Sequence, residues 1–385
     1  MIVKCLGEFA DIQTGPFGSQ LHKEDYVLNG TPIVTVEHLG RRRFTEQNLP
    51  RVADEDKQRL SKYVLSEGDI VFSRVGSVDR CSYVDSSHDG WMFSGRCLRV
   101  RPDESVLPLY LYYFFCLEDT KQFVRNIAVG ATMPSINTKL MGEVPIVIHE
   151  LTTQKRIADL LSAIDSKIEL NEAINENLQE QARAIYHQMI IENADAAWTP
   201  GVLSDIAVIT MGQSPKGESY NEDGVGTVFF QGRAEFGFRF PTRRLYTTDP
   251  KRMAQANDAL MSVRAPVGDM NVAYEDCCIG RGLGAIRSKD GHQSFVLYTM
   301  FALREQLNVF NGEGTVFGSI NRDALNSMAV DIPPKEIMDQ FENIVAPMDA
   351  AIRNNYDEIC CLQAMRDSLL PRLMSGELDV SDIDL

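Results

Sequence analysis

The side chains best suited to chemistry in this chain are arginines gathered on short turn-like segments. A guanidinium offers five donors in a flat fork that matches a guanine edge or a phosphate, while Gln or Asn pairs with adenine and Asp or Glu accepts from cytosine. In the first half the segments are Glu37-His38-Leu39-Gly40-Arg41-Arg42-Arg43 and Arg74-Val75-Gly76-Ser77-Val78-Asp79-Arg80. In the second half they are Gln231-Gly232-Arg233, Arg243-Arg244 and Arg264-Ala265-Pro266-Val267-Gly268. If the partner is double-stranded DNA, the candidate contacts are Glu37, His38, Arg41, Arg42, Arg43, Arg74, Ser77, Arg80, Gln231, Arg233, Arg243, Arg244 and Arg264. The competing reading of each arginine is a solvated charge or a structural ion pair. The turns Gly130-Ala131-Thr132 and Gly314-Thr315 can offer backbone N–H groups to phosphate.

Residues for covalent chemistry are missing from the pattern. There is no Walker A loop, and Gly280-Arg281-Gly282-Leu283-Gly284 lacks the G-x-G-x-x-G spacing and the following acid of a dinucleotide site, so it reads as a strand turn. The six histidines form no H-x-x-x-H pair and the eight cysteines no C-x-x-C, so no metal site is expected and the thiols read as reduced residues of a cytoplasmic protein. No run of 18 apolar residues exists, and the N-terminus lacks a signal-peptide pattern; no membrane partner is expected.

The elements that would position the arginines are set by a repeat. Residues 151–192 contain no Gly or Pro. Ile157, Leu161, Ile164, Ile168, Asn171, Asn175, Leu178, Ala182, Ile185 and Met189 recur at alternating steps of four and three, the seam of a supercoiling helix roughly 60 Å long. A shift of 184 residues restores the seam at Phe341, Val345, Met348, Ile352, Asn355, Ile359, Leu362, Arg366, Leu369 and Leu373. Asn171, Asn175 and Asn355 are expected to fix the register of the helix pair by pairing with one another. Two departures stand out: Arg366 replaces the small Ala182, and Pro347 predicts a kink or a late helix start. The Ser135-Ile136-Asn137 triplet returns as Ser319-Ile320-Asn321 at the same shift, with Gly130 matching Gly314.

The globular halves repeat more loosely. Ala10-Asp11-Ile12 is echoed by Ser204-Asp205-Ile206, Gly68-Asp69-Ile70 by Asn257-Asp258-Ala259, and Gly95-Arg96 by Gly280-Arg281, while Arg74 and Arg264 read as equivalent. Short β-type runs at 32–36, 69–75 and 142–148 separated by turn signals predict a mixed α/β (α+β) domain over 1–149. A helix is expected near 108–126, its Tyr110, Tyr112, Tyr113, Phe114 and Phe115 read as core in preference to a base-stacking platform. The resulting domains are 1–149, a spacer helix 150–193, a second globular domain 194–333, and a second spacer helix with tail 334–385, a tandem repeat with pseudo-two-fold symmetry and coiled-coil helices. Net charge is −16, yet 30 of the 38 basic residues fall in the two globular regions, and the C-terminal 52 residues alone carry 11 acids against 4 bases. That balance predicts weak non-specific DNA binding while leaving room for a local basic face in each globular region.

The order globular domain, long helix, globular domain, long helix resembles the specificity subunit of type I restriction-modification enzymes. So do Gly15-Pro16-Phe17-Gly18-Ser19-Gln20-Leu21, the run Gly68 to Ser77, Ile164-Asp165-Ser166-Lys167-Ile168-Glu169-Leu170-Asn171, and Leu369-Leu370-Pro371-Arg372-Leu373-Met374-Ser375-Gly376-Glu377-Leu378-Asp379. The resemblance covers essentially the whole chain. It implies a non-catalytic subunit whose two target recognition domains each read half of a split, asymmetric DNA target, with the coiled-coil helices antiparallel and setting the unread spacer. It also implies two methyltransferase subunits docked on the helices and motor-nuclease restriction subunits beyond them; S-adenosylmethionine, ATP and Mg are then expected only in those partners, and no cofactor here. The sequence agrees independently: the Asn- or Asp-Pro-Pro-aromatic loop that holds a flipped amino base is absent, and Ile332-Pro333-Pro334-Lys335 lacks its frame. The competing classes are a coiled-coil scaffold, which explains the helices but not the repeated β-rich domains, a nuclease using scattered carboxylates, and a reader serving another methylation-based defence assembly.

Overall fold

The computed structural model describes residues 1–16, 18, 20–195, 198–312 and 318–380. Phe17 and Ser19 of the opening motif and the Gly314-Thr315 turn lie outside the described residues. The chain divides into two compact units, Met1–Glu169 with Glu358–Leu385, and Leu170–Asp357. The division passes through both long helices, because each half-helix buries its apolar side in the core of its own globular part: Ile157 and Leu161 join the aromatic core of the first unit, and Ala182, Phe341 and Val345 that of the second.

In the first unit, strands Ala10–Thr14, Cys97–Pro102, Ile70–Ser73 and Cys81–Tyr83 pair antiparallel in that spatial order. Tyr26–Val27, Arg51–Val52, Thr31–Val34 and Met92–Phe93 form a second sheet whose last pair is parallel, and Ile2–Cys5 pairs with Pro145–Ile148. The second unit repeats this plan with Ala207–Met211, Leu283–Ser288, Ala259–Ser262 and Met270–Val272 in one sheet and a five-stranded sheet beside it. One motif explains itself locally. The backbone turns through positive φ at Gly68 and at Asn257, and the acid that follows is buried at the start of the strand. Asp69 accepts from the Ser66 N–H and from Arg101 across the sheet; Asp258 accepts from the Gln255 N–H and from Arg287. The repeated Gly-Asp or Asn-Asp pair is thus a strand-start lock, with its arginine spent on a buried carboxylate.

The expected helix near 108–126 is two helices, Pro108–Cys116 and Glu118–Ile127, because Leu117 adopts an extended conformation between them. Tyr110 to Phe115 are all buried, so they pack the core and offer no stacking platform.

The long helices run Leu151–Tyr186, followed by a π-helical turn His187–Glu192, and Lys335–Met374. Pro347 and Pro371 lie inside the second helix, so the expected late start does not occur. Within each unit the two segments run antiparallel: Ile164 and Ile168 meet Ile359 in the first, and the Asn355 amide donates to the Asn175 Oδ1 at 2.8 Å in the second. The seam Asn of the second helix therefore pairs with Asn175; Asn171 is buried beside them. Beyond Asn175 the buried stripe is Gln179, Ala182, Tyr186 and Ile190, and the expected Leu178, Ile185 and Met189 are only half-buried. A straight helix of 3.6 residues per turn drifts off a strict seven-residue seam, and here the globular core captures the drifted face.

Arg366, the flaw in the sequence seam, has a partner. Its Nη1 donates to Asp165 Oδ1 at 2.9 Å, and Tyr113 Oη donates to Asp165 Oδ2 at 2.8 Å. At the matching place in the second unit Tyr298 Oη donates to Asp349 at 3.0 Å, but the cation is Arg239 of the globular part, whose other nitrogen donates to Gln179 Oε1 at 3.1 Å. Burial raises both phenols well above their ordinary range, so each Tyr stays a donor.

The second unit also carries a pH-sensitive joint. His292, at the start of helix Gln293–Ala302, is nearly buried, with Nε2 2.7 Å from Asp339 on the C-terminal helix and Nδ1 2.9 Å from Asp290. Burial alone would lower its pKa, but the two carboxylates outweigh that and raise it above 6.5. A raised folded-state pKa stabilises fully below the unfolded value and loses that contribution as pH rises through the folded one. The second unit should therefore weaken as pH climbs from about 6.5 upward, and His292→Gln should flatten the decline. Denaturant unfolding followed by Trp198 fluorescence at stepped pH measures it; an equal slope in wild type and variant would refute the joint.

Candidate nucleic-acid interface

Backbone hydrogen bonds fix which positions of the two units correspond. Arg74 N–H donates to the Arg96 carbonyl, and the Ile136 N–H to the Arg74 carbonyl; in the second unit Val263 N–H donates to Gly282 and Ile320 N–H to Val263. Val75 bridges Ser135 as Arg264 bridges Ser319. So Arg74 corresponds to Val263, and Arg264 to Val75: the sequence equation of Arg74 with Arg264 is off by one residue. The Gly95-Arg96 echo is off by one as well, since Arg281 falls opposite Gly95 and Gly282 opposite Arg96. Likewise Asp205 matches Glu8, each carboxylate accepting the N–H three residues before it. A shift of one residue in extended chain turns a side chain to the other face, which is why Arg74 is half-buried and Arg264 exposed.

The Ser-Ile-Asn triplet is the tie behind these turns. Its Ser bridges the turn, its Ile is buried, and Asn137 and Asn321 cap the short helices Thr138–Gly142 and Arg322–Asn326. Three chain segments thus converge at one end of the four-stranded sheet in each unit: the turn after Ile70–Ser73 or Ala259–Ser262, the start of Cys97–Pro102 or Leu283–Ser288, and the triplet.

In the first unit this end gathers Arg74, Ser77, Arg80 and Arg96. Arg80 carbonyl accepts from the Ser73 N–H, next to Arg74, while Ser77, Arg80 and Arg96 are exposed. In the second unit the end forms a concavity of about 260 Å³ whose wall includes Ser214, Gln231, Arg233, Ser262, Arg264 and Arg281. Three sequence candidates, Gln231, Arg233 and Arg264, meet there. Ser214 and Arg281 were missed; the glycine-rich Gly280-Arg281-Gly282 was the available signal, since a Cβ at Gly280 or Gly282 would come within 2.9 or 2.8 Å of the Gln231 backbone. Those glycines let the Gln231 loop lie directly against Arg281.

The other candidates are placed elsewhere. His38 is buried, its Nδ1 against Thr35 and its Nε2 against the Gln47 carbonyl, so it is a structural residue. Arg42 reaches the central helix, donating to Ser162 Oγ at 2.8 Å, Ser166 Oγ at 3.3 Å and Glu169 at 3.4 Å. Arg43 lies 3.2 Å from Glu169 and 3.5 Å from Asp85, and exposed Arg41 lines a cleft with Asp165 and Arg366. The three-arginine run therefore faces the helices; Arg42 corresponds to Arg239, whose carbonyl accepts from Val272 as that of Arg42 does from Tyr83. Arg243 pairs with Glu275 over the Tyr274 ring, and Arg244 with Glu235 and Glu222. Arg42, Arg43, Arg243 and Arg244 thus each have a carboxylate partner, and Arg43, Arg243 and Arg244 remain half-exposed. Glu37 is exposed on the short turn Val36–His38. Among the described residues no three His, Cys, Asp or Glu gather as a metal site, and no helix is long and apolar enough to cross a membrane.

A family model described as the type I restriction modification DNA specificity domain matches residues 1–180 and again 196–358. A putative type I restriction enzyme MjaX specificity subunit of Methanocaldococcus jannaschii is 29% identical over 374 residues, spanning 91% of this chain and 88% of its own length. The type I restriction enzyme HindI specificity subunit of Haemophilus influenzae is 21% identical, spanning 91% and 95%. The crystal structure of a type I restriction-modification system S subunit from M. genitalium shares the fold with a TM-score of 0.64 at 14% identity, over 97% of this chain and 95% of that one. With its domain matched twice, in the two halves that the backbone register relates residue by residue, the chain belongs to the type I restriction-modification DNA specificity subunits.

Proposed function

We propose that the chain gives a methyltransferase complex its DNA sequence preference by reading a bipartite, asymmetric target, one half-site per globular domain, with the long helices setting the unread spacer. The observation that carries this reading is the pair of equivalent loop ends: the same backbone register carries Arg264 and Arg281 in one unit and Val75 and Gly95 in the other. Two frames with different donors suit two different half-sites. Catalysis belongs to partners in this reading. Two methyltransferase subunits dock on the helices and supply S-adenosylmethionine chemistry on adenine, motor-nuclease subunits use ATP and Mg, and the assembly works in the cytoplasm.

The test is single-molecule sequencing of DNA modification in cells carrying the neighbouring methyltransferase gene, with and without this chain. A split motif modified on both strands only when the chain is present is the expected result. An active, complexed methyltransferase with no chain-dependent motif would instead favour a coiled-coil scaffold.

A further inference from the structure

We propose that the half-site read by the second domain contains a guanine, and that Arg264 and Arg281 contact its edge from the concavity at the sheet end. The inference rests on the reading of that end as the DNA-facing one and specifies its ligand. Among the described residues, no carboxylate lines the concavity and neither Arg264 nor Arg281 has a carboxylate partner. Arg233 differs: Asp269 holds it at 2.5 Å, so it shapes the wall. The contrast with Arg42, Arg243 and Arg244, all committed to acids or helix residues, is what singles out this pair.

The backbone that carries the two donors is held in place, while both side chains are exposed. Arg281 is fixed between two glycines that admit the Gln231 backbone, and Arg264 sits on a turn bridged to Ser319. The two guanidiniums offer donors only. The major-groove edge of guanine shows two acceptors side by side, adenine shows one acceptor and one donor, and cytosine shows a donor. Thymine shows one acceptor beside its methyl group, so of the four bases guanine alone offers an acceptor to each of two adjacent donors. Gln231, beside them, can serve a neighbouring adenine or pyrimidine. The first domain carries no donor side chain at either matching position, Val75 or Gly95, so this feature belongs to one half-site only.

The experiment uses the full chain in complex with its methyltransferase and a duplex library randomised across both half-sites. Wild type, Arg264→Ala, Arg281→Ala and Arg264→Lys are compared by sequencing the modified products. Each alanine variant should relax one guanine position by roughly 10- to 100-fold in preference, within one half-site, with the other half-site and the spacer unchanged. The unchanged half-site is the internal control for folding and assembly. Arg264→Lys should keep most affinity but lose part of the discrimination, because an ammonium cannot fork. The proposal is overturned if wild type shows a split motif with no G·C pair in either half, if the relaxed position is an A·T pair, or if both variants weaken all sequences equally with a shallower salt dependence, the mark of phosphate contacts. Loss of any chain-dependent motif in wild type would overturn the functional reading itself, an outcome distinct from these.

Discussion

Arg239→Ala is expected to destabilise the second unit by about 3 kcal/mol. Among the described residues Arg239 is one of the few buried cations, with its side chain 4% exposed, and it joins both long helices through Asp349 and Gln179. Truncation leaves the Asp349 carboxylate, 20% exposed, with the Tyr298 hydroxyl but without its cation, and strips Gln179 of its donor. Removing one member of a buried pair costs more than the pair contributes, because the remaining charge is stranded. The matching Arg42→Ala should cost only about 1–2 kcal/mol, since Arg42 donates to two serine hydroxyls and to Glu169, and its removal leaves Asp165 still paired with Arg366. The two tryptophans allow the units to be followed separately: Trp198 packs against the second core and Trp91 against a core of the first. Denaturant unfolding read by Trp198 in a Trp91→Phe background measures the first variant, and the reciprocal background the second. A loss below about 1 kcal/mol for Arg239→Ala would refute the assignment of this residue as the main clamp of its domain.

How far the sequence reveals this architecture depends on what each residue is asked to do. The helical seam is legible because packing repeats it every turn, and the 184-residue shift is legible because helices tolerate no insertion without rotating their apolar face. The aromatic run at 110–115 reads correctly as core from its contiguity on a helix. The arginines are harder. Arg42 and Arg239 differ from Arg264 only in where a loop aims them, and composition carries no trace of that. Alignment by letters also misplaces Arg74 and Arg96 by one residue, since similar residues on either side of a turn can be matched in two ways while the backbone bonds allow one. Arg366 shows the same limit from the other side: a seam position that looks like a defect is a partner for Asp165, and the first unit uses it where the second uses Arg239. The loop-end concavity was only partly legible, because its glycines make room for a neighbouring loop that is remote in sequence.

Exchanging the two globular domains between their positions should reverse the order of the half-sites in the modified motif while keeping the spacer. The clamps indicate how such an exchange must be built. A second domain moved onto the central helix would bring Arg239 to Asp165, which already holds Arg366 at 2.9 Å, so two guanidiniums would meet one carboxylate. A first domain moved onto the C-terminal helix would bring Arg42 to Ala346, Ala350 and Arg353, the residues 184 positions beyond Ser162, Ser166 and Glu169. It would find no hydroxyl there and would face a like charge, and Asp349 would lack a buried cation. A domain-only exchange is therefore expected to lose several kcal/mol of stability through stranded and crowded charges. Exchanging Ser162, Ser166 and Glu169 with Ala346, Ala350 and Arg353 together with the domains, and Ala182 with Arg366, should recover most of it. Sequencing of modified DNA from cells carrying each chimera with the methyltransferase gives the decisive readout. The compensated chimera should yield the reversed motif at high occupancy and the uncompensated one the same motif at lower occupancy. A folded, compensated chimera that still modifies the original motif would mean that the globular domains do not carry the preference, and that the helices or the partner subunits do.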